Sequence, residues 1–555
     1  MPQTVFNESR RRDERYLSFN VDALAATICS SIHRPLSDLA SFTKLAEGGF
    51  NRVFEATFKD GYAVVARIPF HITAPARYAV ASEAATLDFL RSHSIPVPKV
   101  LAYSCDRSSP VGAEYLVLEK IDGRPLSDQW FTMDNKTRVK VMRQIVDVET
   151  RFMGLTLPAS GSLYYRRDLM PSYHGIPVSA AFQDPDQIVV GPTAQHAWWY
   201  GERALLESDR WPFELRPFFR VDLYLLLTFC IIKGSTFLDC MEAVAKRESL
   251  FCSKYAKPRL HVERYLRELH GFGPRAPTTH SQLLSQYLQL TPHLNIPSTH
   301  RFARLVLWHP DFSPSNILVN SSDELVGIID WQHAVILPLC LCTGIPKYFQ
   351  NWGDPLSERL AKPEVKLPAD FATKSLEEQA VIQETMRKGL VQFYYAALTM
   401  KQSPDYFDAL RDENAMLRAK LFDRASTPWE GNSVSLKHTI IQIQRNWPMQ
   451  LTCDSSRGDV EVQAEGVCPV SYSDEEILQC CQEHDREDEK MKELEEMREM
   501  IGIDALGWVP DSEHLEKARA VANMIKTGLL EHSTTDIEKT AILKHFSFDD
   551  HDESE

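Results

Sequence analysis

What the chain lacks narrows its identity first. No apolar run is long enough to cross a bilayer: the longest, Leu223 to Ile232, stops well short of the roughly 20 residues a spanning helix needs. No integral membrane segment is expected. The eleven cysteines never fall at paired C-x-x-C spacing, which argues against a cysteine zinc site and for reduced, buried thiols rather than a disulfide framework. Basic charge is also short. Lys and Arg number 61 against 76 Asp and Glu, a formal charge of −15, and no basic patch offers a phosphate backbone a local exception. The one dense basic run, Arg10 to Arg12, is followed at once by Asp13 and Glu14, which cancel much of its field, so no nucleic-acid partner is expected. The N-terminus has no apolar signal core, and its acidic residues are foreign to a mitochondrial presequence. Composition alone leaves localisation open, the cytoplasm included.

What is present is globular: 44% hydrophobic and 25% charged residues over 555 positions, enough chain for about three or four units. Residues 1–40 read as an extension with one amphipathic stretch, Val21 to Ile32, where Leu24, Ile28 and Ile32 recur at helical spacing. From residue 41 to 121 the pattern is that of a small mixed lobe. Val53, Glu55 and Thr57 alternate into the turn Lys59-Asp60-Gly61 and on to Ala63–Ile68, a hairpin; a helix is expected at Ala79–Arg91 and an apolar strand at Tyr115–Leu118. Residues 122–425 form a larger, mostly helical unit, with helices predicted at Lys136–Phe152 and Thr193–Ser208 and an insertion at about 209–255. Ser375-Leu376-Glu377-Glu378 is a capping box opening a helix to about Leu398. Residues 426–555 are a helical C-terminal region, with a solvated amphipathic helix over Glu487–Ile501 ending at Gly502, and an acidic tail that cannot fold alone.

The chemistry concentrates in Leu307-Trp308-His309-Pro310-Asp311-Phe312-Ser313-Pro314-Ser315-Asn316-Ile317-Leu318-Val319, followed by Ile328-Ile329-Asp330-Trp331. A carboxylate, an amide and a second carboxylate stand in fixed order beside short apolar strands. Phosphoryl transfer needs such a set: one carboxylate to orient a hydroxyl and take its proton, and oxygen ligands for Mg²⁺. A hairpin with its turn at Asn320–Glu324 would bring Asn316 and Asp330 to the same end, within reach of one metal. Singly, each has a structural reading: Asp311 as a turn cap, Asn316 bonding its own backbone, His309 as a core histidine. The spacing H-x-D-x-x-x-x-N with a following aspartate makes coincidence the poorer account.

This stretch resembles the aminoglycoside and choline kinase-like phosphotransferases. The resemblance implies an α+β, protein-kinase-like two-lobed fold, with a small β-rich N-lobe and a large, mostly helical C-lobe carrying a helical C-terminal extension. It implies ATP and Mg²⁺ as cofactors and a small-molecule hydroxyl as substrate. Asp311 then corresponds to the catalytic base, and Asn316 and Asp330 to the metal ligands. Pro310 and Ser313-Pro314-Ser315 depart from the family's commoner loop residues.

In the small lobe, Gly48 and Gly49 occupy a strand turn where backbone N–H groups can approach phosphate. Arg67 stands where protein kinases have lysine, and Glu83 on the following helix is its expected partner; a guanidinium bridges carboxylate and phosphate equally well. Glu119 and Ile121 fall in the expected hinge to adenine, with Gly123 at the lobe boundary.

A second resemblance covers more of the chain. Lys44-Leu45-Ala46-Glu47-Gly48-Gly49-Phe50-Asn51, Pro96-Val97-Pro98-Lys99-Val100, Pro110-Val111-Gly112-Ala113-Glu114-Tyr115 and Gly344-Ile345-Pro346-Lys347 are similar to the fungal group called altered inheritance of mitochondria protein nine, which implies a mitochondrial location. The alternative to an active small-molecule kinase is a nucleotide-binding pseudokinase or scaffold, motivated by Asn51, Arg67 and the Ser313–Ser315 segment. A protein kinase is disfavoured, since no Ala-Pro-Glu closes a segment after Trp331. The acceptor pocket is expected within Leu157–Tyr200, with Trp198, Trp199 and Tyr200 read as core or interlobe packing rather than substrate stacking.

Overall fold

In the computed structural model, residues 3–173, 175–179, 186–210, 236–351, 353–452, 459 and 461–553 are described. The N-lobe is a five-stranded antiparallel sheet of β1 (Leu39–Glu47), β2 (Asn51–Phe58), β3 (Ala63–Pro69), β4 (Val100–Ser104) and β5 (Tyr115–Glu119), in the order β1-β2-β3-β5-β4. The predicted hairpin is β2–β3, closed with Val53 opposite Arg67. Strand alternation then sorts the side chains. Val64, Ala66 and Ile68 point to one face, where they are buried with Leu24, Ile28 and Cys29 of the helix Val21–Ser31. Residues 21–31 thus roof the sheet. Arg67, one position out of phase, faces the opposite side.

That opposite side is covered by the helix Tyr78–Ser92, twelve of whose fifteen residues are buried. Its small residues Ala79, Ala81, Ala84 and Ala85 let β-sheet and C-lobe approach it on both sides, and its further end reaches the C-lobe strand Ser162–Tyr165. Glu83 is its single buried acid. A carboxylate there must find a partner or lose its charge.

The C-lobe grows on the helix Asn135–Met153, N-capped by Asp134, which packs on the long helix Leu376–Gln402 and on the strand Leu305–Trp308. The Ser375–Glu378 capping box forms as expected. The helices Thr236–Lys254 and Pro277–Leu290 pair beside them, and Phe237, Cys240, Met241 and Val244 of the former are core. From Thr236 onward the segment expected as an insertion therefore contributes to the core, and the apolar run Leu223–Ile232 lies outside the described residues. The expected helix over Thr193–Ser208 is instead two 3₁₀ turns, His196–Trp198 and Gly201–Leu205. The chain is extended at Tyr200, and Gly201 opens the second turn at φ 59°, a left-handed step that a continuous helix does not contain. Trp198 is buried there, while Tyr200 is exposed.

Past residue 426 most of the described residues are helical. The charged helix begins at Asp474, thirteen residues before the expected Glu487, because Ser473 and Glu476 form a second capping box; it ends at Gly502 at φ 79°. Its Leu494, Met497 and Ile501 are buried in a separate core with Val5, Phe6, Leu515, Phe546 and Phe548. The two chain ends meet in this core. Gln3–Thr4 pairs with Trp508–Val509, Asp550 accepts from the Asn7 N–H at 2.5 Å, and Glu553 pairs with Arg11. The acidic tail folds because the basic run supplies its counter-charge. Among the described residues no helix is long and apolar enough to cross a membrane, and every described cysteine is free.

Candidate active site

The cleft between the lobes gathers most of the residues singled out in the sequence. The strand Ile317–Val319 is flanked by Leu325–Ile328 and by Arg124–Pro125 at the lobe boundary. Ile317 opposes Ile328, and the Ile329 N–H donates to Asn316 O at 2.9 Å. Asn316 and Asp330 therefore sit at the same end of one hairpin. Gly123 is required for the close approach at its base: a Cβ there would lie 2.7 Å from Val326 Cγ2 and 3.3 Å from Leu318 Cβ.

Asp330 breaks the strand with φ 63°, a conformation aspartate tolerates better than most residues. The turn drives Trp331 into the C-lobe core, fully buried against His309 (4.6 Å between ring centroids) and Phe152 (5.2 Å). It leaves the Asp330 side chain 45% exposed in the cleft. There Arg67 Nη2 donates to Asp330 Oδ1 at 2.7 Å while Nη1 donates to Glu83 Oε1 at 2.5 Å. The expected Arg67–Glu83 pair thus gains a third member. Gln332 Oε1 joins them, accepting from Asn51 Nδ2 at 2.6 Å and lying 3.4 Å from Arg67 Nη2. The glycine-rich turn is tied to the C-lobe through this amide.

Charge follows environment. Burial pushes the Glu83 carboxyl up to about 7, against the pull of Arg67. For Asp330, loss of water would raise the carboxyl, but the Arg67 guanidinium outweighs it and holds the group below the usual carboxylate range. Asp330 is accordingly an anion at neutral pH.

His309 links the two acidic loops. It is buried, which lowers its pKa, and in the neutral form Nε2–H donates to Ile329 O at 3.0 Å while Nδ1 accepts from the Asp311 N–H at 3.1 Å. That arrangement fixes one tautomer. Asp311 Oδ2 accepts from Asn316 Nδ2 at 2.9 Å and lies 3.4 Å from Ser313 Oγ. Because the Asn316 nitrogen also reaches Asp311 O at 2.9 Å, the Asn316 carbonyl oxygen is the atom left for another partner.

Gly48 and Gly49 are exposed in the β1–β2 turn, with nothing within 4 Å of a Cβ built on Gly49. Phe50 beside them leans on His196 and His333 at 5.2 and 5.3 Å. Glu119 ends β5; its N–H donates to Lys99 O at 3.0 Å, and its side chain accepts from Arg91 Nη1 at the same distance. That N–H is already used inside the lobe. Ile121 packs on the C-lobe strand, where a Cβ on Gly327 would come 2.4 Å from its Cδ1.

On the C-lobe side of Asp311 opens a cleft of about 1100 Å³, walled by Trp308, Leu341, Lys347, Arg359, Arg411 and Met416 among others. Among the described residues none of its walls comes from Leu157–Tyr200, where the acceptor pocket was expected. Of the segments that form it, 341–360 carries the Gly344-Ile345-Pro346-Lys347 stretch noted above only as a resemblance, and 410–446 carries no local motif, so the sequence did not announce the cavity. Gln332 was missed as well, although it stands two residues from Asp330.

A basic side chain reaching from a small β-lobe to a helix glutamate and a cleft aspartate, above a loop holding a second aspartate and an asparagine, defines a kinase-like phosphotransferase. The chain belongs to the phosphotransferase enzyme family (APH), whose model matches residues 41–210 and 239–340 and passes over the segment between. A subtelomeric hrmA-associated cluster protein of Aspergillus fumigatus is 33% identical over 84% of this chain and 88% of that protein. The mitochondrial protein altered inheritance of mitochondria protein 9 of Saccharomyces cerevisiae is 22% identical over 85% of this chain and 73% of that protein. Among solved structures, an aminoglycoside phosphotransferase from Alicyclobacillus acidocaldarius covers 82% of this chain and 90% of its own at 11% identity, with a TM-score of 0.28.

Proposed function

We propose that the chain transfers the γ-phosphoryl group of ATP to the hydroxyl of a small molecule held in the cleft beside Asp311. One observation carries this reading: the bonded path Asn316–Asp311–His309–Ile329 continues into Asp330–Arg67–Glu83, so base, oxygen donors and phosphate-facing cation belong to one constellation. Asp311 is the base. Its Oδ2 is anchored by Asn316, and Oδ1 takes no hydrogen bond among the described residues, which suits it to accept the acceptor's proton. The acceptor oxygen forms the new O–P bond as the bond to the β-phosphate oxygen breaks, and ADP leaves.

The Asn316 carbonyl oxygen and the ionised Asp330 carboxylate are hard oxygen donors of the kind Mg²⁺ prefers, so the residues fit that ion. Bound there, it would neutralise charge on the phosphates. Arg67 keeps Glu83 through Nη1, leaving Nη2 to exchange Asp330 for a phosphate oxygen. In the glycine turn the Gly48 N–H closes the bend by donating to Asn51 O at 2.9 Å, Gly49 supplies an N–H over the phosphates, and the segment around Glu119 and Ile121 receives the adenine. The residues that suggested a pseudokinase have positions in this constellation: Arg67 is doubly paired, and Asn51 ties the glycine turn to Gln332.

The cleft walls bear on the acceptor. Lys347, Arg359, Arg411, Lys420 and Arg424 stand against Asp311, Glu358, Glu413 and Asp423, and burial raises the Asp423 carboxyl. A polycation would need acidic walls. A neutral or anionic hydroxylated metabolite fits better, and the relatives' name supports a mitochondrial setting for it.

The test is ADP release by the full chain with ATP and Mg²⁺ across hydroxylated compounds sorted by charge. Asp311→Asn should lower turnover about 10²- to 10⁴-fold while leaving the thermal shift produced by Mg-ADP intact. Equal background turnover in the two proteins counts against the reading.

A further inference from the structure

Away from the cleft, His261, His270 and Glu487 converge between the C-lobe and the C-terminal extension, their ligand atoms all within 4.8 Å of one another. His270 Nε2 lies 2.9 Å from Glu487 Oε1, and both side chains are under a tenth exposed. Alone, that pair would be an ordinary interfacial hydrogen bond. His261 changes the account. It is 3% exposed, its ring stacks on His270 with centroids 5.5 Å apart, and its Nε2 is buried without a hydrogen-bond partner. Leaving such a nitrogen unsatisfied costs free energy that a ligand would recover.

His261 Nδ1 lies 3.2 Å from Glu263 O and 3.1 Å from Glu263 N; in the tautomer that donates to the carbonyl, the Nε2 lone pair is free for the cluster, as metal-bound histidines usually arrange. Glu487 Oε2 accepts from Asn432 Nδ2 at 3.1 Å, which orients the carboxylate. Arg267 is the nearby cation; its Nε donates to His261 O at 2.8 Å, and the Glu487 charge opposes it.

From this geometry we propose that His261, His270 and Glu487 bind a divalent transition-metal ion, Zn²⁺ by preference, which clasps the segment 261–270 to the helix Asp474–Ile501. Two imidazoles and one carboxylate form a recurrent zinc set, with water completing four-coordination. Tetrahedral ligation at 2.0–2.1 Å places ligand atoms about 3.3 Å apart, so a small rotation of the His261 ring closes the site. The ion belongs to neither ATP nor the Asn316–Asp330 pair. Its position is that of a fastener: Tyr265 OH already reaches Glu493 at 2.7 Å and Arg264 reaches Lys544 O across the same seam.

The experiment uses the full chain freed of metal by chelation, then titrated with Co²⁺ and with Zn²⁺ in competition. The expected result is one equivalent bound, visible d–d absorption of four-coordinate cobalt, and a higher melting temperature with Zn²⁺. Glu487→Gln, whose oxygen can still accept from Asn432 and whose amide N–H can donate to His270 Nε2 in its other tautomer, and His261→Gln should each weaken binding about a hundredfold or more. Should either variant fold poorly, the other decides. A wild-type chain that takes up no metal, or variants that bind as wild type does, would overturn the site.

Discussion

Replacing Arg67 by methionine puts the cleft's charge arrangement to a quantitative test. The arginine side chain is 12% exposed and Glu83 4%, so its removal strands a buried carboxylate, a change worth about 3–5 kcal/mol if the charge persists. Glu83 has an escape, because burial already lifts its carboxyl to about 7 and loss of the guanidinium lifts it further. A folded-state value above the ordinary 4.5 means that the folded chain holds the proton more tightly. The associated stability is complete below the ordinary value and disappears as pH rises through the folded one. Arg67→Met should therefore cost most near pH 8 and least near pH 5. In Arg67→Met/Glu83→Gln no carboxylate is stranded, and near pH 8 the double loss should fall short of the summed single losses by about 1–3 kcal/mol. Asp330, half exposed, can resolvate and adds little. Urea unfolding of the four proteins at the two pH values measures this directly. Additivity within about 0.5 kcal/mol at both would refute the buried ion pair, whatever happens to nucleotide binding.

Two further outcomes are expected. Trp331→Ala removes a fully buried indole packed on His309 and Phe152 and should destabilise the chain by about 3–5 kcal/mol in urea unfolding; a loss near zero would contradict that packing. Glu149 is buried, accepts from Tyr395 OH at 2.7 Å, and burial pushes its carboxyl up to about 8 from 4.5. Between those values wild type should lose up to about 1.4 kcal/mol per pH unit through this group, a slope that Glu149→Gln lacks. Matching pH profiles would refute the assignment.

The parts of this molecule legible in the sequence are those whose signals are local. Alternation in β2 and β3, the Ser375 capping box and the spacing from His309 to Asp330 each specify geometry over a few residues. The same local logic, applied to Ser473–Glu476, would have found the start of the charged helix. The Thr193–Ser208 helix failed because Gly201 takes a left-handed conformation that apolar periodicity does not reveal. What stayed hidden depends on long-range pairing. The Asn51–Gln332 bond spans 281 residues, His270 meets Glu487 across 217, and the cleft beside Asp311 is closed by the distant, unpatterned segment 410–446.

The junction of the two chain ends has a consequence for synthesis. Val5 and Phe6 leave the ribosome some five hundred residues ahead of surfaces that bury them, Val509, Leu515, Phe546 and Phe548. Until those residues are made the earlier segment has no home, and such delayed closure leaves apolar surface open to association. A ribosome-bound chain halted before residue 508 should be cut readily by protease around Val5 and Phe6, whereas the released chain resists.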